Sequence, residues 1–265
     1  MGSGDEKDKE DFDAIVKKAS EEFLSEADNE DLKFLLENSF KNSFMKERVE
    51  SFAAYDLENI AAISESTGFS VWGSEVKFGY DDDESLETVR IPCDEGDILL
   101  LGKIDRIDVR DRNGKREVCV VDYKKKSDYY ILSESDVLEG LKLQLITYLL
   151  AVDNNRERFA TNGEEVIPSA IMYYLYDKNV KAKQSHEYNG LCIPEAVDPE
   201  MRLVKPSDLG ELSRRTVETI RSVYKGIASG CFDVNPLDVS DSCKFCKGGN
   251  ICRYKTFSVD DGNET

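Results

Sequence analysis

Two aspartates and a lysine occupy positions in the chain where the surrounding residues have the pattern of buried strands. Asp105 lies among apolar neighbours in residues 99–109. Asp122 ends the apolar run 118–121, and Lys124 follows two residues later. A buried carboxylate without a partner costs several kcal/mol, so each aspartate needs a cation.

The segment between the two aspartates predicts that they meet. Asn113 and Gly114 separate the two runs, and this dipeptide favours a hairpin because both residues accept a positive φ. An antiparallel hairpin brings Asp105 and Asp122 onto adjacent strands, and Lys124 points to the same side as Asp122 because residues two apart share a face. Converging carboxylates form a hard-oxygen site suited to Mg²⁺ or Mn²⁺.

This residue set predicts metal-assisted hydrolysis of a phosphate ester. The lysine would hold the attacking water or offset negative charge on phosphorus. A purely structural interpretation stays open on these residues alone: Asp105 would pair with Arg106 or a lysine, and Asp122 would simply end a strand. Glu75, on the preceding strand, could also face the site or be a solvated or hairpin-paired residue.

Hydrophobic periodicity predicts the elements that position this hairpin. Helical spacing covers residues 9–66, continues in one stripe from Leu138 to Val152 with Ser133 or Ser135 as N-cap, and returns over 207–227 with Ser207 as N-cap and an end near Gly230. Strand patterns cover residues 71–79, 88–92, 97–110, 117–123 and 166–176, while 191–194 is interpreted as an edge or loop.

The order of helices, strand hairpin, helix, strand and helix predicts an α/β fold with a central mixed sheet flanked by helices. We divide the chain into a polar lead-in with a cloning scar, a helical N-terminal part, a core and a cysteine-rich tail: residues 1–8, 9–66, 67–230 and 231–265.

Composition says more about the cellular compartment of the protein than about its function. Hydrophobic residues make up 40% of the 265 residues, and the formal net charge is −19. Because no apolar run is long enough for a transmembrane helix or a signal-peptide core, we expect a cytoplasmic protein with no membrane partner. The negative charge describes the whole surface, so it does not exclude a polyanion bound in a local cleft.

Three motifs in order resemble the RecB-like branch of the PD-(D/E)XK nuclease superfamily. They are the strand Gly102-Lys-Ile-Asp-Arg-Ile-Asp108, the strand Val121-Asp-Tyr-Lys124 and the helix Gln144-Leu-Ile-Thr-Tyr148. The resemblance implies a restriction-endonuclease-like core. It also implies that Asp105, Asp122 and the carbonyl of Tyr123 bind Mg²⁺ or Mn²⁺, and that Lys124 is the catalytic lysine.

The same resemblance implies that Gln144 and Tyr148 approach the active site or the DNA backbone, and that Arg106 and Asp108 orient or support it. The sequence departs from the branch at one point. The branch usually carries a histidine on an early helix as another metal ligand, whereas the one histidine here is His186.

The tail has the spacing of a metal-binding motif. Cys243, Cys246 and Cys252 form C-x₂-C-x₅-C, which is one thiolate short of a closed site, and Cys231 could supply the fourth. The trio resembles that of AddB-type helicase–nuclease subunits and of CRISPR-associated RecB-like exonucleases, in which a distant upstream cysteine completes a 4Fe–4S cluster. A sequence that begins after that cysteine and the early histidine would lack both.

The resemblance therefore implies the C-terminal nuclease domain of an AddB-type subunit. Such a domain would cleave single-stranded DNA from an unwound duplex in double-strand-break repair, together with an AddA-type subunit. Two alternatives remain open: a non-catalytic DNA-binding or scaffold domain with a vestigial site, and a CRISPR-associated RecB-like exonuclease.

Overall fold

A computed structural model describes residues 5–125, 131–176, 187–234, 236, 239–244, 246–252 and 254. The chain forms two compact units, the first ending at Thr219 and the second beginning at Ile220. His186 lies outside the described residues. Within the described part of the chain, no helix combines the length and apolar character needed to cross a bilayer.

The described residues contain eight strands. They are, in chain order, β1 Ser70–Phe78, β2 Val89–Ile91, β3 Ile98–Leu100, β4 Gly102–Arg112, β5 Lys115–Lys125, β6 Glu165–Tyr176, β7 Glu187–Cys192 and β8 Leu203–Pro206.

Eight α-helices are also described. They are α1 Asp5–Ser25, α2 Glu30–Glu37, α3 Phe40–Thr67, α4 Glu134–Leu138, α5 Leu143–Asn154, α6 Leu209–Ala228, α7 Val239–Ser242 and α8 Gly249–Cys252. Three successive α-helices lie in the region where the sequence predicts helical structure.

Six strands form one mixed sheet in the order β1-β4-β5-β6-β7-β8, and β2 pairs with β3 separately. Neighbours in the large sheet are antiparallel except for the pairs β5–β6 and β7–β8. The predicted α/β fold with a central mixed sheet is therefore confirmed, in an arrangement consistent with a restriction-endonuclease-like core.

The sheet is buried on both faces, which explains why its central strands have nearly continuous apolar runs. On one face, Cys119, Val121 and Met172 form a buried cluster against which Ile60 and Ile63 of α3 pack. The other face is covered by α5, which contacts β5 and β6. Alternate side chains of β4 and β5 therefore point either toward the cluster packed against α3 or toward α5.

The hairpin between β4 and β5 has the predicted turn. Arg112 pairs with Lys115, which leaves Asn113 and Gly114 as a two-residue loop with φ of 55° and 74°. Positive φ at both residues matches the twist of the flanking strands. This turn sets the register of the whole hairpin.

The prediction of one long strand over residues 97–110 is wrong. β3 pairs with β2, whereas β4 pairs with β1 and β5, and the chain changes sheets at Leu101. Gly79 allows this crossing, because a Cβ there would lie 2.8 Å from the Cβ of Leu101.

The single helical stripe predicted from Leu138 to Val152 is also wrong, because the chain breaks between α4 and α5. Gly140 lies in this break with a φ of 78°, a left-handed conformation that cannot continue a helix. The N-cap prediction is confirmed for Ser133, whose Oγ accepts a hydrogen bond from the amide of Asp136 at 3.2 Å.

Two predictions near the end of the first unit need correction. Asp208 rather than Ser207 caps α6, since Oδ1 of Asp208 accepts the amide hydrogen of Glu211 at 2.9 Å. Residues 191–194 are not a simple edge, because Leu191 and Cys192 belong to β7 and the sheet continues to β8, which was not predicted. The predicted helix end is confirmed by Gly230, with a φ of 73°.

Gly190 provides a test of the inner sheet. It pairs with Met172 across β6 and β7, and a Cβ would collide with the carbonyl oxygen of Ile171 and lie 2.9 Å from Cα of Met172. We expect Gly190→Ala to lower the free energy of unfolding in urea by about 1–3 kcal/mol or more, because backbone atoms would have to move. Gly226→Ala is the control: it has open space on α6 and should stabilise by roughly 0.5–1 kcal/mol. An unchanged Gly190→Ala midpoint would contradict this strand pairing.

Candidate active site

Asp122 lies in the interior of the sheet with 0% of its surface exposed. Neither carboxylate oxygen accepts a hydrogen bond of normal geometry among the described residues. The nearest cation is Lys124, whose Nζ lies 2.5 Å from Oδ2 of Asp122. The alternation of the strand places these two side chains on one face, as the sequence predicts.

Asp105 lies beside Asp122 where two strands separate. The described pairs of β4 with β5 end at Arg106 with Val121, and β4 continues along β1 while β5 continues along β6. Beyond this last pair, Oδ2 of Asp105 accepts the backbone amide hydrogen of Tyr123 at 2.9 Å. A side-chain oxygen thus takes the place of a ladder partner and holds Asp105 at the mouth of the hairpin.

The charges around Asp122 oppose one another. Burial raises the pKa of the Asp122 carboxyl above its usual value, Lys124 acts in the lowering direction, and Asp105 adds to the rise. Because the net shift is upward, the ionised carboxylate is less stable here than in water. This is the electrostatic setting in which an added cation is favourable.

The helix motif reaches the same place. Nε2 of Gln144 donates a hydrogen bond to Oη of Tyr148 at 2.8 Å, as expected for residues four apart on α5. Burial raises the pKa of the Tyr148 phenol, and the charges of Asp122 and Asp105 raise it further. Tyr148 therefore keeps its proton, and its hydroxyl can donate a hydrogen bond to a ligand at this site.

Phe78 and Gly102 support Tyr148 and were missed from the sequence. The rings of Phe78 and Tyr148 meet edge to face with centroids 6.0 Å apart. A Cβ on Gly102 would lie 2.9 Å from the Phe78 ring, so the motif glycine makes room for this contact. The glycine two residues before an apolar strand position was the available signal, since glycine in a strand often marks close approach.

Three other candidate residues form ion pairs with partners of their own. Glu75 forms an ion pair with Lys103 and is largely exposed. Arg106 and Asp108 point to the opposite face of the hairpin, where they pair with each other. The simplest structural alternative, in which Asp105 is neutralised by Arg106, does not match this geometry.

The cysteine tail belongs to the second unit. Cys231, Cys246 and Cys252 are exposed and Cys243 is half-buried. Over the described ranges, no three side chains of His, Cys, Asp or Glu are grouped so as to hold a metal ion. The described cysteines do not by themselves form a metal-binding group, so the 4Fe–4S cluster stays a prediction from the resemblance.

The hairpin site, in contrast, offers two carboxylates that could bind a divalent cation. Asp122 presents two buried oxygens without normal hydrogen bonds, and Asp105 lies beside it. Carboxylate oxygen is the donor that Mg²⁺ and Mn²⁺ prefer. Tyr123, whose carbonyl was predicted as a third ligand, lies between Asp122 and Lys124 on the same strand.

Comparison with known proteins gives a family match and a set of relatives. Residues 3–253 match the model of the PD-(D/E)XK nuclease superfamily. The chain is 28% identical over 261 residues to an ATP-dependent helicase/deoxyribonuclease subunit from Clostridium novyi, covering 83% of this chain and 22% of that protein. It is 31% identical over 241 residues to the protein of the same name from Carboxydothermus hydrogenoformans, covering 75% of this chain and 22% of that protein. The chain thus spans about a fifth of the length of these curated relatives.

The buried carboxylate predicts how stability depends on pH. Because the pKa of Asp122 is raised on folding, the free energy of unfolding falls as the pH rises from the unfolded-state pKa to the raised folded-state pKa. Without divalent cations, we expect Asp122→Asn to have a higher Tm than the wild type at about pH 8. The difference should be smallest below about pH 4, where the carboxyl becomes protonated in both states.

Thermal scans with and without Mg²⁺ check this expectation. Mg²⁺ should raise the Tm of the wild type and leave that of Asp122→Asn unchanged. The control is Asp111→Asn, since Asp111 lies on the same hairpin with its carboxylate exposed beside Arg116. A metal-free Asp122→Asn variant that melts below the wild type at about pH 8 would argue against net electrostatic strain at this carboxylate.

Proposed function

The chain belongs to the PD-(D/E)XK nuclease superfamily, and we propose that it is the nuclease domain of a helicase–nuclease complex. In this proposal it hydrolyses phosphodiester bonds of single-stranded DNA that leaves an unwound duplex during double-strand-break repair. The observation that carries the proposal is the convergence of Asp105, Asp122, Lys124 and Tyr148 where β4 and β5 separate.

Each side chain has a role that follows from its position. Asp105 and Asp122 would hold Mg²⁺ or Mn²⁺. When bound, that ion would polarise the phosphodiester and make a bound water more acidic. Lys124 is partly exposed beside Asp122, so its ammonium group can face a phosphate and offset negative charge that develops during hydrolysis.

The helix residues would act on the substrate. Oη of Tyr148 accepts the hydrogen bond of Gln144, which leaves the phenol proton free to point at a phosphate oxygen. The pair therefore supplies an oriented neutral donor at a site that already holds two carboxylates. A neutral donor can hydrogen-bond a phosphate oxygen without adding charge to the site.

The names of the relatives support a proposal about the partner. They are named as subunits of an ATP-dependent helicase/deoxyribonuclease. We therefore propose an AddA-type subunit as partner, and the cytoplasm stays an expectation from the sequence. A 4Fe–4S cluster on the tail cysteines stays a prediction from the resemblance.

One observation favours a second candidate. The hairpin brings two carboxylates together. Within the described part of the chain, no third acidic, histidine or cysteine side chain joins them to form a group that could hold a metal ion. A DNA-binding domain with a vestigial site would also retain Asp105, Asp122 and Lys124. It would bind single strands without cleaving them.

Cleavage of end-labelled single-stranded DNA in Mn²⁺ separates the two candidates. We expect the wild type to cleave, and Asp122→Ala and Lys124→Ala each to reduce the rate constant by about 100-fold or more, because each removes charge needed in the transition state. Chelation of the divalent ion should abolish cleavage of the wild type.

Matched controls come from the same strands. Lys125→Ala removes the neighbouring lysine, which is exposed and points to the other face, and Asp111→Asn removes an exposed carboxylate of the hairpin. Both should cleave at the wild-type rate. Equal cleavage by wild type, Asp122→Ala and Lys124→Ala would refute the nuclease site, whereas DNA binding without cleavage would support the vestigial domain.

A further inference from the structure

A buried arginine lies directly behind the candidate site. Arg106 is 2% exposed and follows Asp105 on β4, so its side chain points to the opposite face of the sheet. Its Nη1 donates to Oη of Tyr123 at 2.7 Å, and its Nη2 donates to Oδ2 of Asp108 at 2.9 Å and to Oη of Tyr188 at 2.5 Å. The guanidinium also lies 5.4 Å and 5.9 Å from the ring centres of the two tyrosines.

Tyr123 connects this network to the chemistry on the other face. Its hydroxyl is held by Arg106, and its backbone amide donates to Asp105. Its neighbours in the chain are Asp122 and Lys124. A change in the position of Tyr123 would therefore move the two strand segments that carry both aspartates and the lysine.

We propose that Arg106, Tyr123 and Tyr188 are positioning residues that set the geometry of the site through the back of the hairpin. The inference rests on the proposed nuclease function for its role in activity. Arg106 fixes β4 beside Asp105, Tyr123 fixes β5 beside Asp122, and Tyr188 ties the arginine to β7. The positioning role belongs to the three side chains, which meet behind the hairpin, and not to the backbone carbonyl of Tyr123.

Burial of a guanidinium is otherwise unfavourable at this place. Burial opposes the charged form of Arg106, while Asp108 and the two tyrosines raise its pKa. Burial likewise raises the pKa of Asp108, and Arg106 opposes that rise. A buried pair of this kind is weak evidence for stability, since apolar residues of similar size often serve as well. Its value lies in fixing one arrangement of the three strands.

A second buried arginine on the same hairpin shows that the position of Arg106, and not its burial alone, links it to the site. Arg110 lies on the same face of β4, four residues further from Asp105, and it pairs with Glu117 and Asp198. It is as buried as Arg106 but its partners flank neither aspartate. Tyr174 offers a second comparison, because it packs edge to face against both Tyr123 and Tyr188 while its hydroxyl donates to Asp56 at 3.2 Å.

The test removes single hydroxyl groups rather than the arginine. Arg106→Ala would leave Asp108 charged and unpaired in the core, and the loss of folding would mask any effect on the site. Tyr123→Phe and Tyr188→Phe keep the rings and delete one hydrogen bond each. Tyr174→Phe is the matched control, because it deletes one hydroxyl of the same aromatic cluster, and that hydroxyl donates to Asp56.

Three measurements are made on each variant: Tm, Mn²⁺ affinity by calorimetry, and hydrogen exchange of the backbone amide at residue 123. We expect Tyr123→Phe and Tyr188→Phe to weaken Mn²⁺ binding by about 10-fold or more, the usual loss for residues that orient metal ligands. Both should speed exchange of the amide at residue 123, since it is held by Asp105. Tyr174→Phe should change neither quantity, even if its Tm falls by as much.

The outcomes are distinct. Equal losses of Tm in all three variants, with unchanged Mn²⁺ affinity and unchanged exchange at residue 123, would overturn the positioning role. A wild type that binds no Mn²⁺ and cleaves no DNA would refute the proposed function instead. Faster exchange in Tyr188→Phe would still support the positioning of Asp105, because that readout needs neither metal nor DNA.

Discussion

The burial of a negative charge at Asp122 is the constraint on which the rest of the structure depends. The carboxylate has no exposed surface, and one lysine and one further aspartate lie beside it. A charge in this position opposes folding unless an added cation offsets it. The surrounding sheet must therefore be stable for other reasons, and the apolar cover on both of its faces provides that stability. The Asp122 carboxylate is therefore incompletely compensated in a fold whose stability does not depend on its compensation.

The alternation of β4 and β5 divides the hairpin into two polar systems. One face carries Asp105, Asp122 and Lys124, and the other carries Arg106 and Tyr123. The first set has oxygens without normal hydrogen bonds, whereas the second is joined by short hydrogen bonds. Because neighbouring residues belong to opposite sets, rigidity on one face is transmitted to the other through the backbone.

Much of the site could be predicted from local patterns. The period of two in a strand places Asp122 and Lys124 together, and the Asn113-Gly114 turn fixes the register that sets Asp105 opposite Asp122. The contact of Arg106 with Tyr188 could not be predicted in this way, because Tyr188 lies 82 residues away on β7. The break between α4 and α5 was missed for a different reason: apolar spacing continued across Gly140, and only its left-handed backbone interrupts the helix. The crossing at Leu101 was missed because its apolar neighbours have the pattern of one continuous strand.

The end of the β4–β5 ladder explains why the site lies where it does. While two strands remain paired, their backbone groups are occupied and their side chains are packed against covering helices. Past the pair of Arg106 with Val121, β4 follows β1 and β5 follows β6, so the space between them opens. Asp105 accepts the hydrogen bond of the backbone amide of Tyr123 with one carboxylate oxygen. Tyr148, on α5, borders the opening from the helix side. A sheet that continued its pairing for two more residues would have satisfied the same amide with a backbone carbonyl and would not have needed the Asp105 carboxylate there. The divergence of the strands is thus the structural origin of the site, and the network behind it limits how far they can diverge.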